Sequence, residues 1–189
     1  GVTRVKPGDK VAVSPSHACG RCEGCRQGRE QLCSNMKFLG SASLFPHVQG
    51  MFREYFVMGE RQCYPVGGDV SLGELAFAEP LAVALHAVAR GGDLLGKSVL
   101  VTGAGTIGCL TVMAARLAGA RHVVVSDILD RPLAKAKESG ADVALRADRD
   151  GDQLAAPRFD VCYEVSGSFA ALKTCVAAVK RGGAVVQVG

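Results

Sequence analysis

Four cysteines near the start of the chain are spaced as metal ligands. Cys19, Cys22, Cys25 and Cys33 form the pattern C-x2-C-x2-C-x7-C. Four thiolates about 2.3 Å from one tetrahedral Zn²⁺ satisfy the ion completely and leave no open position, which is typical of a structural zinc site. We expect Gly20 and Gly24 to let the backbone turn between the ligands. Three arginines are expected to balance the negative charge of the centre; they are Arg21, Arg26 and Arg29.

Two other uses of these cysteines compete with zinc. Disulfides need an oxidising compartment, which nothing in the sequence supports, and cysteines three residues apart are poorly placed to pair. The pattern C-x2-C-x2-C also opens the bacterial iron–sulfur motif. In that motif the fourth cysteine comes after three residues and precedes proline, whereas here it comes after seven and precedes Ser34. Structural zinc is therefore favoured, and an iron–sulfur cluster stays open.

A glycine-rich turn is the second feature with chemical meaning. Gly103-Ala104-Gly105-Thr106-Ile107-Gly108 follows the strand-like run Val99-Leu100-Val101-Thr102 and opens a helical stretch. In a G-x-G-x-x-G turn the first glycine permits the sharp turn, the second lets the backbone approach a pyrophosphate, and the third lets the helix pack closely. The helix start, at Thr106 and Ile107, supplies unpaired N–H groups. The turn therefore predicts a dinucleotide site.

An acidic residue after the next strand indicates which dinucleotide binds. Asp127 lies 19 residues past Gly108, where a carboxylate can accept both hydrogen bonds of the adenosine ribose. Because it would also repel a 2′-phosphate, NAD is predicted over NADP. Arg131 could reach a 2′-phosphate, so NADP stays possible. In the alternative interpretation the glycines only permit packing and Asp127 caps the next helix.

The pattern around this turn predicts an α/β fold. Five strands are expected at residues 98–102, 122–126, 142–145, 159–165 and 184–188, with helices near 106–118, 130–139 and 168–180 between them. Parallel neighbours need such crossovers, so the pattern predicts a doubly wound parallel sheet. A helix opened by Pro80 is predicted over 81–90. Residues 1 to about 65 are loop-rich, and the run 54–58 suggests an antiparallel strand.

Composition excludes several classes of protein. The chain has 189 residues, of which 48% are hydrophobic and 21% charged, so it is globular rather than disordered. A net charge of +4 without a basic arm, with 5% aromatic residues and no Trp, argues against a nucleic-acid partner.

Residues 98–115 carry no charge, but glycines divide them, so no membrane span is predicted. With no secretion leader, the cytoplasm is expected. The ends look cut, since the chain lacks a starting Met and stops on a strand pattern.

A few further residues could take part in chemistry. Glu79 opens a helix, where the helix dipole favours a carboxylate or where it could act on a substrate. His86, in an apolar helix, is predicted to be a core or interface residue, and His47 to be a loop residue with a weaker claim to function. The remaining cysteines are predicted to be buried thiols; they are Cys63, Cys109, Cys162 and Cys175.

The cysteine spacing, the segment Ala78-Glu79-Pro80-Leu81 and the glycine turn, in this order, resemble the zinc-dependent medium-chain dehydrogenases, in particular the polyol branch around sorbitol dehydrogenase. The strings 40–42, 45–48 and 77–84 resemble its aldonate-oxidising members. The resemblance covers the whole chain. It implies a partial GroES-like catalytic domain over residues 1–80 and a partial Rossmann domain over 81–189. It also implies NAD or NADP, a structural and a catalytic zinc, and a homotetramer or dimer.

The resemblance further implies a reaction. A hydride would pass between a secondary alcohol of a polyol or aldonate, L-idonate first among them, and NAD(P); sorbitol, xylitol and L-threonine are alternative substrates. In the family a Cys and a His-Glu pair before the cysteine motif hold the catalytic zinc, with Glu79 near it. That set is missing here, so residues 1–189 alone are expected to be inactive. The segment 164–167 and Val188 are expected to flank the nicotinamide half of the coenzyme. A non-enzymatic, zinc-stabilised nucleotide-binding module is the rival function.

Overall fold

The computed structural model describes residues 1–42, 45–154, 156 and 158–189. Its backbone contacts divide the chain into two compact units, residues 1–78 and 79–189. The assignment of functional domains to 1–80 and 81–189 stays a prediction. Each helix that the structure describes is too short or too polar to cross a lipid bilayer.

The first unit consists mainly of loops around two small antiparallel sheets. Strand β1 (Val11–Val13) pairs with β4 (Cys63–Pro65), and β2 (Ser16–His17) pairs with β3 (Lys37–Phe38). Two short α-helices, α1 (Glu23–Arg26) and α2 (Leu72–Leu75), and two 3-10 turns, Glu30–Leu32 and Glu60–Gln62, complete it. Such short strands leave most of the backbone of this unit in loops.

The predicted strand over residues 54–58 is wrong. These residues form no strand, and the side chains of Tyr55 and Val57 are 88% and 101% exposed. A run of apolar residues forms a strand only where another strand can pair with its backbone. The four strands described in this unit pair with one another instead.

The second unit is a five-stranded parallel sheet. Its strands are β5 (Ser98–Thr102), β6 (His122–Asp127), β7 (Val143–Arg146), β8 (Phe159–Glu164) and β9 (Val179–Gln187), in the spatial order β7-β6-β5-β8-β9. Strands β6 and β7 follow one another on one side of β5 within the sheet. The chain then crosses over, and β8 and β9 follow one another on the opposite side of β5. The connections leaving β5 and β8 diverge, and their carboxyl ends border a crevice of the kind in which such sheets bind ligands.

Four helices flank this sheet, namely α3 (Ala78–Arg90), α4 (Thr106–Leu117), α5 (Asp130–Glu138) and α6 (Phe169–Ala178). Helix α3 begins three residues before its predicted start, with Pro80 still in its first turn. Strand β9 begins five residues earlier than predicted, directly after α6, and its pairing with β8 is irregular between Phe159 and Val161. The other elements of the sheet lie within two residues of their predicted bounds.

Side chains alternate between the two faces of the sheet. Val99, Val101 and Val123 share one apolar cluster with buried residues of α3, α4 and α5, whereas Leu100 and Val124 share another with α6. Both faces are therefore covered by helices, which confirms the predicted doubly wound sheet. Cys162 and Cys175 are buried in the second cluster as predicted. The prediction of burial is wrong for Cys63 and Cys109, which are partly exposed.

A carboxylate ties the amino-terminal ends of three strands together. Asp160 Oδ2 accepts hydrogen bonds from the backbone N–H of Ser98 (2.8 Å) and from its hydroxyl (2.9 Å). Asp160 Oδ1 lies 3.1 Å from Lys180 Nζ on β9. These donors, the Ser98 amide foremost, lower the pKa of Asp160 to about 2. The ionised carboxylate therefore links β5, β8 and β9.

Replacing Asp160 with Asn should lower the free energy of unfolding at pH 7 by about 1–2 kcal/mol, the range for a hydrogen-bonded charge that solvent partly screens. Because the folded pKa of Asp160 lies below its unfolded value of about 3.9, the stabilisation is complete above that pH and is lost as the pH falls toward 2. Urea unfolding at pH 7 and pH 3 should show a smaller gap between the two proteins at pH 3. Glu138→Gln, at an exposed ion pair with Lys135, is the control. Equal stability of Asp160→Asn and wild type at pH 7 would contradict the prediction.

Candidate functional site

The four cysteines of the metal motif meet through short local elements. Cys22 immediately precedes helix α1, Cys25 lies within it, and Cys33 follows the 3-10 turn Glu30–Leu32. Gly20 has a φ of +72°, as expected for a tight turn between ligands. Gly24 acts differently from the prediction. It lies inside α1, where a Cβ atom would come 2.9 Å from the Leu32 carbonyl oxygen, so it permits close packing rather than a turn.

The geometry of the sulfur atoms suits one metal ion. All four Sγ atoms lie within 4.8 Å of one another, and those of Cys22 and Cys25 are 3.4 Å apart. In a tetrahedral ZnS4 centre with bonds of about 2.3 Å, neighbouring sulfurs are about 3.8 Å apart. The observed spacing needs only small side-chain adjustments to reach that value. The residues present therefore fit a four-thiolate metal centre, and they leave no position for a substrate.

Backbone amides prepare these sulfurs to carry negative charge. The amides of Cys19 and Asn35 donate to Cys33 Sγ at 3.2 Å and 3.4 Å. Amides of Cys25 and Ser34 lower the pKa of Cys22 to about 6. Burial and the neighbouring thiol of Cys22 raise the pKa of Cys25 to about 12, because without a cation the cluster cannot hold several thiolates. The three nearby arginines are exposed.

Close backbone contacts determine the shape of the glycine turn after β5. Gly103 has a φ of +94°, and a Cβ atom on it would lie 2.9 Å from the Ser166 amide nitrogen after β8. A Cβ atom on Gly108 would clash with the Gly103 carbonyl oxygen. Both positions therefore require glycine. The third glycine lets α4 approach the turn itself, which is a closer constraint than the helix-on-strand packing that the motif suggested.

Gly105 is different, because a Cβ atom on it would have no described atom within 4 Å. It is the N-cap of α4 and makes no side-chain cap, and Thr106 beside it is exposed. The amides of Thr106 and Ile107 begin the 12-residue helix α4 at this open surface. This opening next to a helix N-terminus is the space that a pyrophosphate would fill, so the residues present fit a dinucleotide.

Asp127 lies beside this turn, at the carboxyl end of β6. Its Oδ2 accepts a hydrogen bond from the Ala104 amide at 2.7 Å, and its Oδ1 accepts one from the Leu129 amide at 3.0 Å. Each oxygen keeps a second lone pair for a ligand hydroxyl. Asp127 caps its own loop but begins no helix, since the N-cap of α5 is Leu129. Arg131 is exposed in the first turn of α5.

A fully buried carboxylate organises the other side of the crevice. Glu164 Oε1 accepts hydrogen bonds from the Ser166 amide (2.8 Å) and hydroxyl (2.6 Å), while its carbonyl oxygen accepts one from the Val188 amide (2.8 Å). Glu164 Oε2 has no hydrogen-bond partner among the described residues. The ends of β5, β8 and β9 therefore lie together around Glu164. Whether Val188 contacts a nicotinamide stays a prediction.

Sequence reasoning missed one charged residue at the same edge. Arg146 ends β7 directly opposite Asp127 in the register of the sheet, and its side chain is only 18% exposed. It pairs with Asp130 and Asp148. The signal that could have identified it is its place at the end of a parallel strand, where ligands bind.

Within the part of the chain that the structure describes, no ligand set for a catalytic zinc comes together. Among the described residues, the four cysteines are the one group of three or more potential ligands whose atoms lie close together. Glu79 is an exposed residue in the first turn of α3. His47 lines a cavity of about 390 Å³ in the first unit with residues 40–42 and 48–50. His86 is exposed on α3, beside the end of β9. The core alternative of its prediction is therefore wrong, and the interface alternative stays a prediction.

Comparison with known families matches both units. Residues 1–68 match the alcohol dehydrogenase GroES-like domain, and residues 106–189 match the zinc-binding dehydrogenase domain. The chain belongs to the zinc-type alcohol dehydrogenase family. This confirms the predicted family and fold class, a GroES-like region followed by a Rossmann-type sheet.

The similarity to individual proteins extends over nearly the whole chain. L-idonate 5-dehydrogenase (NAD(P)(+)) of Escherichia coli (strain K12) is 43% identical over 96% of this chain and 54% of its own length. Sorbitol dehydrogenase of Bacillus subtilis (strain 168) is 35% identical over 100% of this chain and 54% of its own. The crystal structure of the Escherichia coli L-idonate enzyme superposes with a TM-score of 0.92 at 41% identity, covering 98% and 55% of the two chains. The chain thus spans about half the length of these relatives.

The two glycines of the turn should respond differently to alanine. Gly108→Ala places a methyl group against the Gly103 carbonyl and should destabilise the fold by about 1–3 kcal/mol, as overpacking does. Gly105→Ala meets open space at a φ of −69° and should change stability by less than about 0.5 kcal/mol. Urea unfolding of both variants beside the wild type makes the measurement. An equal loss of unfolding free energy in the two variants would contradict the prediction, because the contacts at Gly108 would then have no effect on stability.

Proposed function

We propose that this chain is the coenzyme-binding and zinc-stabilised part of an oxidoreductase that moves a hydride between a secondary alcohol and NAD(P). The glycine turn carries the proposal. Gly103 and Gly108 are closed by backbone contacts while Gly105 is open toward the start of α4. A turn that served packing alone would not need that opening.

The residues of the turn would bind the coenzyme in two places. The amides that begin α4 would donate to the pyrophosphate, where the helix dipole favours negative charge. Asp127 is already oriented by the amides of Ala104 and Leu129, and would accept the ribose hydroxyls with its remaining lone pairs. This supports NAD as the preferred coenzyme, with NADP as the alternative. The coenzyme, once bound, supplies the nicotinamide ring that accepts the hydride.

The cysteine cluster would hold a structural zinc. Its four sulfurs fill a tetrahedral shell, and the backbone amides that already donate to them would support the thiolates. Zinc would fix the loop between Cys19 and Cys33, which the described residues otherwise hold with only short helical turns.

The substrate is proposed from the relatives. The Escherichia coli L-idonate 5-dehydrogenase and the Bacillus subtilis sorbitol dehydrogenase support a polyol or aldonate, with L-idonate and its 5-keto product as the first choice. Sorbitol, xylitol and L-threonine follow. We assign no step to a catalytic zinc, because the described residues do not form its site. Turnover of the intact gene product on a panel of aldonates, polyols and amino alcohols tests the assignment. Activity confined to substrates without a secondary alcohol would overturn it.

Two general properties complete the proposal. A reducing compartment such as the cytoplasm is proposed, because the four clustered cysteines would serve as thiolate ligands of a metal rather than as disulfides. A homo-oligomer, either a dimer or a tetramer, is expected from the family resemblance. Size-exclusion chromatography with light scattering on the intact gene product measures it.

Zinc binding can be tested on the cysteines directly. The chain purified without chelator should contain one zinc, and Cys22→Ser should lose it, because three thiolates leave the tetrahedron incomplete. Metal content is measured by mass spectrometry. Cys63→Ser, at a thiol of the same unit outside the cluster, is the matched control and should keep the metal. Iron in place of zinc, or zinc retained by Cys22→Ser, would contradict the structural site.

The coenzyme preference tests the role of Asp127. Asp127→Ser should weaken NAD binding by about 1–3 kcal/mol, the range for lost hydrogen bonds to a charged acceptor, and should raise the relative affinity for NADP. Calorimetric titration of the wild type and the variant with both coenzymes measures the ratio. Asp152→Ser, on the 3-10 turn Gly151–Leu154, is a control of equal charge change. An unchanged ratio in Asp127→Ser would mean that another residue recognises the ribose.

A further inference from the structure

A double ion pair occupies the edge of the sheet next to the proposed ribose site. Arg146 Nη1 lies 2.9 Å from Asp130 Oδ1. On the other side, Arg146 Nε and Nη2 donate to the two oxygens of Asp148 at 2.9 Å and 2.7 Å, which is the bidentate geometry of a strong pair. All three nitrogens of the guanidinium are thus engaged by two carboxylates.

The position of this ion pair connects it to coenzyme choice. Arg146 and Asp127 are register partners at the carboxyl ends of β7 and β6. The Ala147 amide also donates to the Asp127 carbonyl oxygen at 2.9 Å, which holds the two strand ends together. Asp130 begins helix α5, three residues after Asp127. The ion pair therefore borders the region in which a carboxylate would receive an adenosine ribose.

The chemistry of the group matters because a guanidinium is the preferred partner of a phosphate. A 2′-phosphate on the ribose would bring charge close to −2 to this edge, where Asp127, Asp130 and Asp148 are all acidic. In the structure two N–H groups of Arg146 donate to Asp148 and Nη1 lies 2.9 Å from Asp130, so that three of its five N–H groups are engaged and two carboxylates already compensate its positive charge. A 2′-phosphate would have to compete with both carboxylates for Arg146.

We propose that Asp130 and Asp148 determine coenzyme specificity by holding Arg146 in this double ion pair, so that the chain favours NAD over NADP. The inference rests on the proposed function, and it adds a second determinant beside Asp127. Asp127 disfavours the 2′-phosphate by repulsion, whereas Asp130 and Asp148 act by withholding a cation. Release of Arg146 would give the 2′-phosphate a partner without removing any contact to the ribose hydroxyls.

The experiment compares dissociation constants for NAD and NADP by calorimetry. Asp130→Asn combined with Asp148→Asn should tighten NADP binding by about fivefold to tenfold, as expected for one new charge-assisted hydrogen bond partly screened by solvent, and should change NAD binding by less than about twofold. Adding Arg146→Gln to this double variant should abolish the gain. Glu138→Gln, which removes an acidic charge from the same helix α5, should leave both constants unchanged.

Several results would overturn the proposal. If the triple variant keeps the gain in NADP affinity, the two acids act by their charge alone and not through Arg146. If the double variant is folded and shows no gain, Arg146 does not reach the phosphate. Thermal unfolding shows whether the double variant is folded. If it is not, the single variant Asp148→Asn takes its place and should bind NADP about threefold more tightly than the wild type. No gain in NADP affinity in that single variant would count against the proposal. If the wild type binds NAD and all variants have the same NADP dissociation constant as the wild type, only this inference is contradicted. If the wild type binds neither NAD nor NADP, the proposed function is contradicted as well.

Discussion

The close approach of helix α4 to the end of β5 is the contact on which the arrangement of the second unit depends. With a methyl group at Gly108 the helix could not come this near to the Gly103 carbonyl. Without that approach the first amides of α4 would not lie at the crevice where the connections leaving β5 and β8 diverge. Gly103 lies against the backbone of Ser166 at the same point. The carboxyl ends of β5 and β8 are therefore in close contact where the connections that leave these two strands diverge. Packing therefore closes the turn on two sides and leaves it open at Gly105.

Carboxylates that accept backbone amides hold the ends of the parallel strands. Asp160 does this at the amino-terminal edge, through Ser98. At the carboxyl edge Asp127 accepts the Ala104 amide and Glu164 accepts the Ser166 amide. Amides at strand ends have lost their sheet partners, and these carboxyl oxygens accept the hydrogen bonds that such amides would otherwise lack. The same arrangement places acidic groups beside the crevice, where they would repel a negatively charged ligand.

The two units of the chain are stabilised by different interactions. In the first unit, strands of two or three residues and brief helical turns bury little apolar surface, and the cysteine cluster is its densest local constraint. In the second unit, the alternating residues of five strands pack against helices on both faces and form two apolar clusters. A metal centre at the cysteine cluster would compensate for the small core of the first unit, whereas the large parallel sheet of the second unit needs none. The loops at the carboxyl ends of its strands therefore rest on a well-packed support.

Features encoded within a few neighbouring residues could be predicted from the sequence, and features that join distant residues could not. The cysteine motif spans Cys19 to Cys33 and the glycine turn spans six residues, so spacing and residue type were enough to identify both. The succession of strand-like and helix-like segments likewise predicted the five strands of the sheet. The tertiary structure alone decided that residues 54–58 stay out of any sheet, that β9 begins at Val179, and that Glu164 is fully buried. It also decided that Arg146 is bound by Asp130, 16 positions earlier in the chain. These outcomes depend on which strand finds a partner and which charges meet across the fold, and such pairings arise only when segments far apart in sequence pack together.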